Sequence, residues 1–183
     1  MNDFIPALIA SAISATAALG GVALANRSQQ SRHREVLRED AVALQRELIA
    51  QVLLAGRSWQ RQAFILVVVL GKASTDEMVE LAGTDVVERA GTLLAELDGA
   101  ATRAALATSD SQVQKVVSAI ADFIHAFGEE ILAPVVNSSG SAGRSEAMAS
   151  ASAQLREFGE ELNQLQSLTT SRLALPSWHN SRD

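Results

Sequence analysis

Apolar residues recur three or four positions apart along most of the chain, which is the period of an amphipathic helix. The first stripe begins after residue 32 and ends before Gly56, where we expect a pause. Two further stripes, over residues 86–97 and 113–131, have the same spacing. The members of the three stripes are Leu37, Ala41, Leu44, Leu48, Val52 and Ala55; Val86, Val87, Ala90, Leu93, Leu94 and Leu97; and Val113, Val116, Val117, Ile120, Phe123, Ile124, Phe127 and Ile131. The pattern predicts an all-α protein with an antiparallel helical bundle over residues 35–136.

An uninterrupted apolar run at residues 64–70, β-branched in part, could by itself form a buried strand. We find no second segment to pair with it, and a lone strand would leave its backbone hydrogen-bonding groups unsatisfied. We therefore expect a buried helix over about residues 58–71. Trp59, between Arg57 and Arg61, fits either a contact with membrane headgroups or the start of this buried helix, and we favour the helix.

Two capping boxes mark expected helix starts. Ser74 with Glu77, and Ser109 with Gln112, place a serine at the N-cap and an acid or amide three residues later. The second box opens the clearest helix of the chain. That helix should end by Pro134, because proline lacks the N–H that a helix interior needs.

The C-terminal part begins with residues 137–145, Asn-Ser-Ser-Gly-Ser-Ala-Gly-Arg-Ser, which have the composition of a flexible linker. A heptad seam then predicts an amphipathic, coiled-coil-like helix over residues 146–172, followed by a disordered tail over residues 173–183. The seam can pack into its own bundle or against another chain, and the tether favours its own bundle when no partner is present. We identify Leu155, Phe158, Leu162 and Leu165 of this seam as candidate partner-binding residues.

The N-terminal segment, residues 4–25, has no charged side chain over 22 positions, which is long enough for a helix to cross a bilayer. Arg27, Arg32 and Arg34 follow within the basic segment 26–34. By the positive-inside rule, we expect a single-pass membrane protein with its N-terminus outside and its body cytoplasmic.

Two alternatives to a retained span stay open. Ala23-Leu24-Ala25 reads as a small-x-small cleavage site, which would release an exported helical-bundle protein after Ala25. The segment could also be a buried apolar helix of a soluble assembly.

The formal charge of −6 is unevenly distributed and argues against nucleic acid as a partner. Residues 26–38 hold four arginines and one glutamate, a local +3, whereas residues 39–183 hold 11 basic and 19 acidic residues, a local −8. An acidic body would repel phosphate. The expected partners are the lipid bilayer and a protein, or a second copy bound through helices. Arginine outnumbers lysine by 13 to 2, which is typical of a GC-rich bacterial genome.

Candidate chemistry is sparse. Asp122, His125 and Glu129 share one helical face with the spacing of a metal site, but that face lies opposite the apolar stripe, so we expect it to face water. A Gly71-Lys72 pair lacks the glycine and the hydroxyl residue of a phosphate-binding loop. With no cysteine and no nucleophile elbow, we expect no catalytic, metal or cofactor site. The sequence thus favours a membrane-anchored helical interaction or scaffold protein rather than an enzyme.

Overall fold

The computed structural model describes the backbone of residues 4–74, 77, 80–81, 84–138 and 140–173. Within these ranges it describes the side chains of residues 29–30 and of residues from 32 onward. The helices are α1 (Phe4–Lys72), α2 (Asp85–Ala107), α3 (Ser111–Ala126), a π-helical turn (Phe127–Leu132), α4 (Ala133–Asn137) and α5 (Ser141–Arg172). No strand occurs in the described ranges, which confirms the predicted all-α class.

The chain divides into two units, residues 1–43 and 44–183. In the first unit every described side chain is exposed except that of Val42, which is half-buried. Two of the exposed side chains, Val36 and Leu37, are large and aliphatic.

The predicted membrane span, residues 4–25, belongs to α1 by its backbone, and its side chains lie outside the described residues. In the part of the chain that the structure describes, no helix combines the length and the apolarity that crossing a bilayer requires. This finding contradicts the predicted single-pass localisation with the N-terminus outside and the body cytoplasmic. The prediction relied on the length of the segment, its lack of charge and its eight Phe, Ile, Leu and Val residues. The other 14 of the 22 residues are the smaller Ala, Ser, Thr, Gly and Pro. Absence of charge is a weaker condition than apolarity.

The second unit is an up-down-up-down helical bundle. The amide of Gln62 donates to the carbonyl of Val86 at 3.2 Å, and that of Gln45 to the carbonyl of Ala107 at 2.7 Å, so α2 runs antiparallel to α1. Arg172, at the end of α5, lies 3.3 Å from Asp110, just before α3, so α5 runs antiparallel to α3. The antiparallel arrangement buries one face of every long helix.

The buried face of α1 agrees with the predicted stripe at Val52, which is buried, and at Leu48 and Ala55, which are half-buried against the core, but it differs elsewhere. The helix continues through Gly56 without the expected pause, and its core residues are Ile49, Val52, Trp59, Ala63, Leu66, Val67 and Leu70. Leu37 and Leu44 of the predicted stripe are 54% and 52% exposed. The prediction divided α1 at Gly56 and assigned the first half by its own leucines. In the intact helix, Trp59 and the apolar run that follows it determine which face is buried.

Close approach between α1 and α5 depends on a glycine in each helix. A Cβ atom built at Gly56 would lie 2.7 Å from Cδ2 of Leu162, and one built at Gly159 would lie 2.5 Å from Nε2 of Gln60. That Gln60 nitrogen donates to the carbonyl of Leu155 at 2.7 Å, which ties the two helices together. The absence of a side chain at Gly159 provides the space for this hydrogen bond.

The start of α5 lies inside the predicted linker. Gly140, with φ +82°, immediately precedes the helix. The helix begins at Ser141, so residues 141–145 of the predicted linker are helical. In its first turn, Nη1 of Arg144 donates to the carbonyl of Ala73 at 2.6 Å, just after the end of α1. This contact fixes α5 beside α1 from its first turn.

Helix capping follows the sequence at one site and departs from it at another. The Ser74 backbone N–H donates to Oε2 of Glu77 at 2.7 Å, and the Glu77 N–H donates to the Ser74 hydroxyl at 3.4 Å, which confirms this capping box. At α3 the N-cap is Asp110 rather than the predicted Ser109. Its carboxylate accepts from the N–H groups of Gln112 and Val113 at 2.9 and 3.1 Å. A carboxylate is the stronger acceptor at the positive end of a helix.

The helical segment that begins at Ser111 does not end at Pro134 as expected. The preceding residues form the π-helical turn, in which the N–H of Ala133 donates to the carbonyl of Gly128, five residues earlier. Proline lacks an N–H and clashes with the carbonyl four residues before it, so the wider turn accommodates the ring. The helix then continues as α4, where Val135 reaches the core.

Replacing Gly56 by alanine should lower the free energy of unfolding by about 1–3 kcal/mol, because the added methyl group overpacks the contact with Leu162. Gly91→Ala is the matched control, since no atom lies within 4 Å of the added Cβ. There the better helix propensity of alanine should raise stability by up to about 1 kcal/mol. Urea unfolding of both variants measures the difference. Equal stabilisation by the two substitutions would contradict the close approach.

The N-cap of α3 should make stability depend on acid. The N–H of Val113 chiefly holds the pKa of Asp110 below its ordinary value, assisted by the N–H of Gln112 and by Arg172. A lowered folded-state pKa stabilises the fold above the unfolded-state pKa, and this stabilisation is lost as the pH falls through the folded-state value. Asp110→Asn keeps a capping oxygen but does not titrate, so its melting temperature should fall less than that of the wild type between about pH 6 and pH 3.

The control for this experiment is Asp122→Asn, which removes an exposed carboxylate from the middle of α3 and leaves the cap intact. Its melting temperature should follow that of the wild type across the same pH range. Parallel acid curves for the wild type and Asp110→Asn would contradict the role assigned to the cap.

Candidate interaction surface

The structure places all four predicted partner-binding residues in the chain's own core. Leu155, Phe158, Leu162 and Leu165 of α5 are each at most 1% exposed. Of the two positions predicted for the seam, its own bundle or another chain, the seam packs into its own bundle. Use of these residues by a partner stays a prediction, and it would require α5 to leave the bundle.

An aromatic cluster occupies the place where α1, α3 and α5 meet. The ring of Trp59 contacts those of Phe127 and Phe158 edge-on, with centroids 4.6 and 5.2 Å apart. Phe123 stacks on Phe158 at 4.8 Å. These are the distances and angles that aromatic pairs prefer. Trp59 is fully buried, which agrees with the buried-helix interpretation of this residue.

The polar face of α3 offers little chemistry. Asp122, His125 and Glu129 are all exposed, as the stripe geometry predicts. Nε2 of His125 lies 4.0 Å from a carboxylate oxygen of Asp98 on α2, and both side chains are largely in solvent. Among the described residues, no three acidic or histidine side chains converge as metal ligands would. The 4.0 Å distance between His125 and Asp98 therefore makes only a weak contact at the surface.

A groove of about 450 Å³ lies beside the C-terminal half of α5. Its lining is polar and uncharged: Asn163, Gln166, Ser167, Thr170 and Ser171. Arg57 of α1 donates to Asn163 and Gln166 at 3.2 and 2.8 Å, so two of these side chains already hold α5 against α1. Both of these bonds come from the guanidinium of Arg57, which is the charged group in contact with the lining residues.

Three exposed aliphatic side chains lie along the outer face of α1. Leu54 is 73% exposed, Ile65 44% and Val68 41%. At about 100° per residue, these three side chains lie within about 60° of one another and opposite the buried face. Arg61 and Lys72 are exposed on the same strip. We call the set Leu54, Arg61, Ile65, Val68 and Lys72 the outer stripe.

The centres of the other outer faces are polar. On α3 that position is taken by Asp122 and His125, on the π-helical turn by Glu129, and on α5 by Glu157 and Glu160, all of them exposed. The largest exposed aliphatic residue of α2, Leu106, lies alone in its last turn. Among the described helices, α1 therefore differs from the others in having several exposed aliphatic side chains along one face.

The outer stripe was not predicted from the sequence, because its residues were assigned to the core or passed over. Ile65 and Val68 fall in the apolar run 64–70, which was interpreted as buried throughout. Leu54 stands beside the stripe that was assigned to the core. In a continuous helix, seven apolar residues in succession must cover both faces, and this signal was present in the sequence.

Comparison with known proteins gives no relative from which to transfer a function. No protein-family model matches the chain, and no curated protein or solved structure matches it either. The surface described above is therefore the basis for a functional proposal.

Substitutions on the polar face of α3 should cost little. His125→Ala and Glu129→Ala should each change the free energy of unfolding by less than about 0.5 kcal/mol, because both side chains are exposed. Phe123→Ala should cost about 3 kcal/mol or more, since it removes a ring stacked in the aromatic cluster. Denaturant unfolding measures all three. Stoichiometric zinc binding that disappears in His125→Ala would contradict the assignment of this face to solvent.

Proposed function

We propose that this protein is a non-enzymatic helical interaction module that binds a partner protein on the outer face of α1. The observation that carries the proposal is the outer stripe, in which Leu54, Ile65 and Val68 remain exposed on a helix whose opposite face fills the core. Aliphatic side chains aligned along one helix face are typical of surfaces that receive another helix.

The division of roles within the bundle supports the proposal. The seam of α5 is occupied by intramolecular contacts, so binding through it would require loss of core packing around Trp59 and Phe158. The outer stripe requires no rearrangement, and a partner would bury Leu54 directly. Burying exposed aliphatic area stabilises association by about 25 cal/mol per Å² before the costs of ordering are subtracted.

The charge of the chain supports a protein over a nucleic acid as the partner. Residues 39–183 carry a local charge of −8, so an extended phosphate backbone that runs over the whole body would be repelled, whereas a short helix would contact the outer stripe with Arg61 and Lys72 alone. The basic residues of the outer stripe are few and are interleaved with aliphatic residues.

Site-specific photo-cross-linking in the native cell tests the proposal. A photoreactive benzoylphenylalanine at position 54 should give a discrete adduct with a second protein, whereas the same group at Glu157, on the outer face of α5, should not. Adding Ile65→Asp to the position-54 protein should reduce the adduct, because it places a charge in the middle of the stripe. No adduct at position 54, or equal adducts at both positions, would contradict the proposal.

A further inference from the structure

We infer that the occupant of the outer stripe is an amphipathic helix of another protein, with acidic side chains beside its apolar row. The inference rests on the proposed function and specifies the chemistry of the partner. It follows from the length of the stripe, the charges on it, and the poor fit of a second copy.

The shape of the stripe suits a helix. Leu54 and Val68 are 14 residues apart, which corresponds to about 21 Å along the axis, or about four helical turns. Leu54, Arg61, Ile65 and Val68 follow a seven-, four- and three-residue spacing, which is the spacing that a partner helix matches with its own row. An extended strand would find no free backbone groups to pair with on a helix surface.

The charges on this face are predominantly positive. Arg57, Arg61 and Lys72 are exposed along it, and Glu47 is the acidic residue on the same face, near its N-terminal end. Arg57 is hydrogen-bonded to Asn163 and Gln166, but both acceptors are neutral amides and leave its charge uncompensated. In the described part of the chain, no carboxylate lies within ion-pair distance of Arg57 or Arg61. The face therefore favours a partner with negative charges at its margins.

A second copy of the chain fits this face poorly. An antiparallel pair of α1 helices that set Leu54 against Ile65 of the other copy would bring Arg57 and Arg61 of both copies together around the two-fold axis. A register that set Leu54 against Leu54 would place Glu47 opposite Arg61, but it would also place Ile65 opposite Ala43 and Val68 opposite Asp40, so the aliphatic residues would not meet. A parallel pair would set each arginine beside its own equivalent. Like charges at such positions destabilise helix pairs, so the charges favour a different, acidic chain.

Two synthetic helical peptides test the inference against the full-length protein. They share one leucine row and differ only in their flanking residues, glutamate in one and lysine in the other. By fluorescence anisotropy at low salt, the glutamate peptide should bind at least about fivefold more tightly, which is the effect of a few rim charge pairs. The preference should shrink as salt rises. Leu54→Asp should weaken both peptides by more than about tenfold.

Charge reversal gives the discriminating result. Arg61→Glu combined with Lys72→Glu should reverse the preference toward the lysine peptide, whereas Arg156→Glu, an exposed change on α5, should leave it unaltered. Circular dichroism and melting temperature confirm that each variant is folded. Equal affinity for the two peptides, no binding of either, or a preference that survives charge reversal would overturn the inference. A position-54 adduct obtained alongside any of these results would leave the proposed function standing, and loss of the adduct would remove it.

Discussion

The packing of α5 against Trp59 is the interaction on which the rest of the bundle depends. Trp59 is fully buried and contacts Phe127 of the π-helical turn and Phe158 of α5, so one side chain of α1 joins three segments. Gly56 and Gly159 allow the two helix backbones to approach on either side of it. Trp59 lies on the buried face of α1, and the opposite face carries the exposed residues of the outer stripe.

As a result, the two faces of α1 have different roles: one packs in the core, and the other is the proposed binding surface. The inward face of α1 is committed to the core, and the seam of α5, including Leu155 and Leu162, fills the space opposite it. The outer stripe is free of such packing, so an added charge at Leu54 should affect binding far more than folding.

Sequence reasoning identified the helical class, the seam of α5, the Ser74 capping box and the exposed face of α3, because each depends on a local period or a local hydrogen bond. It assigned the buried face of α1 only in part: Val52 is buried as predicted, whereas Leu37 lies in the first unit, where the described side chains are nearly all exposed. The spacing of residues could not decide between Ser109 and Asp110 as the N-cap, because the decision depends on where the Asp110 carboxylate lies relative to the first N–H groups of α3. The outer stripe emerged only when packing showed which half of the apolar run 64–70 was left exposed.

Hydrogen exchange along α5 tests the central claim, that its seam completes the core of its own bundle. We expect slow exchange of the amides from Ala151 to Leu165, comparable with that of Ile49 to Val67 in α1, because both segments would open only with the whole bundle. Rapid exchange throughout α5, with protection retained in α1, would show that the seam is not docked in its own bundle.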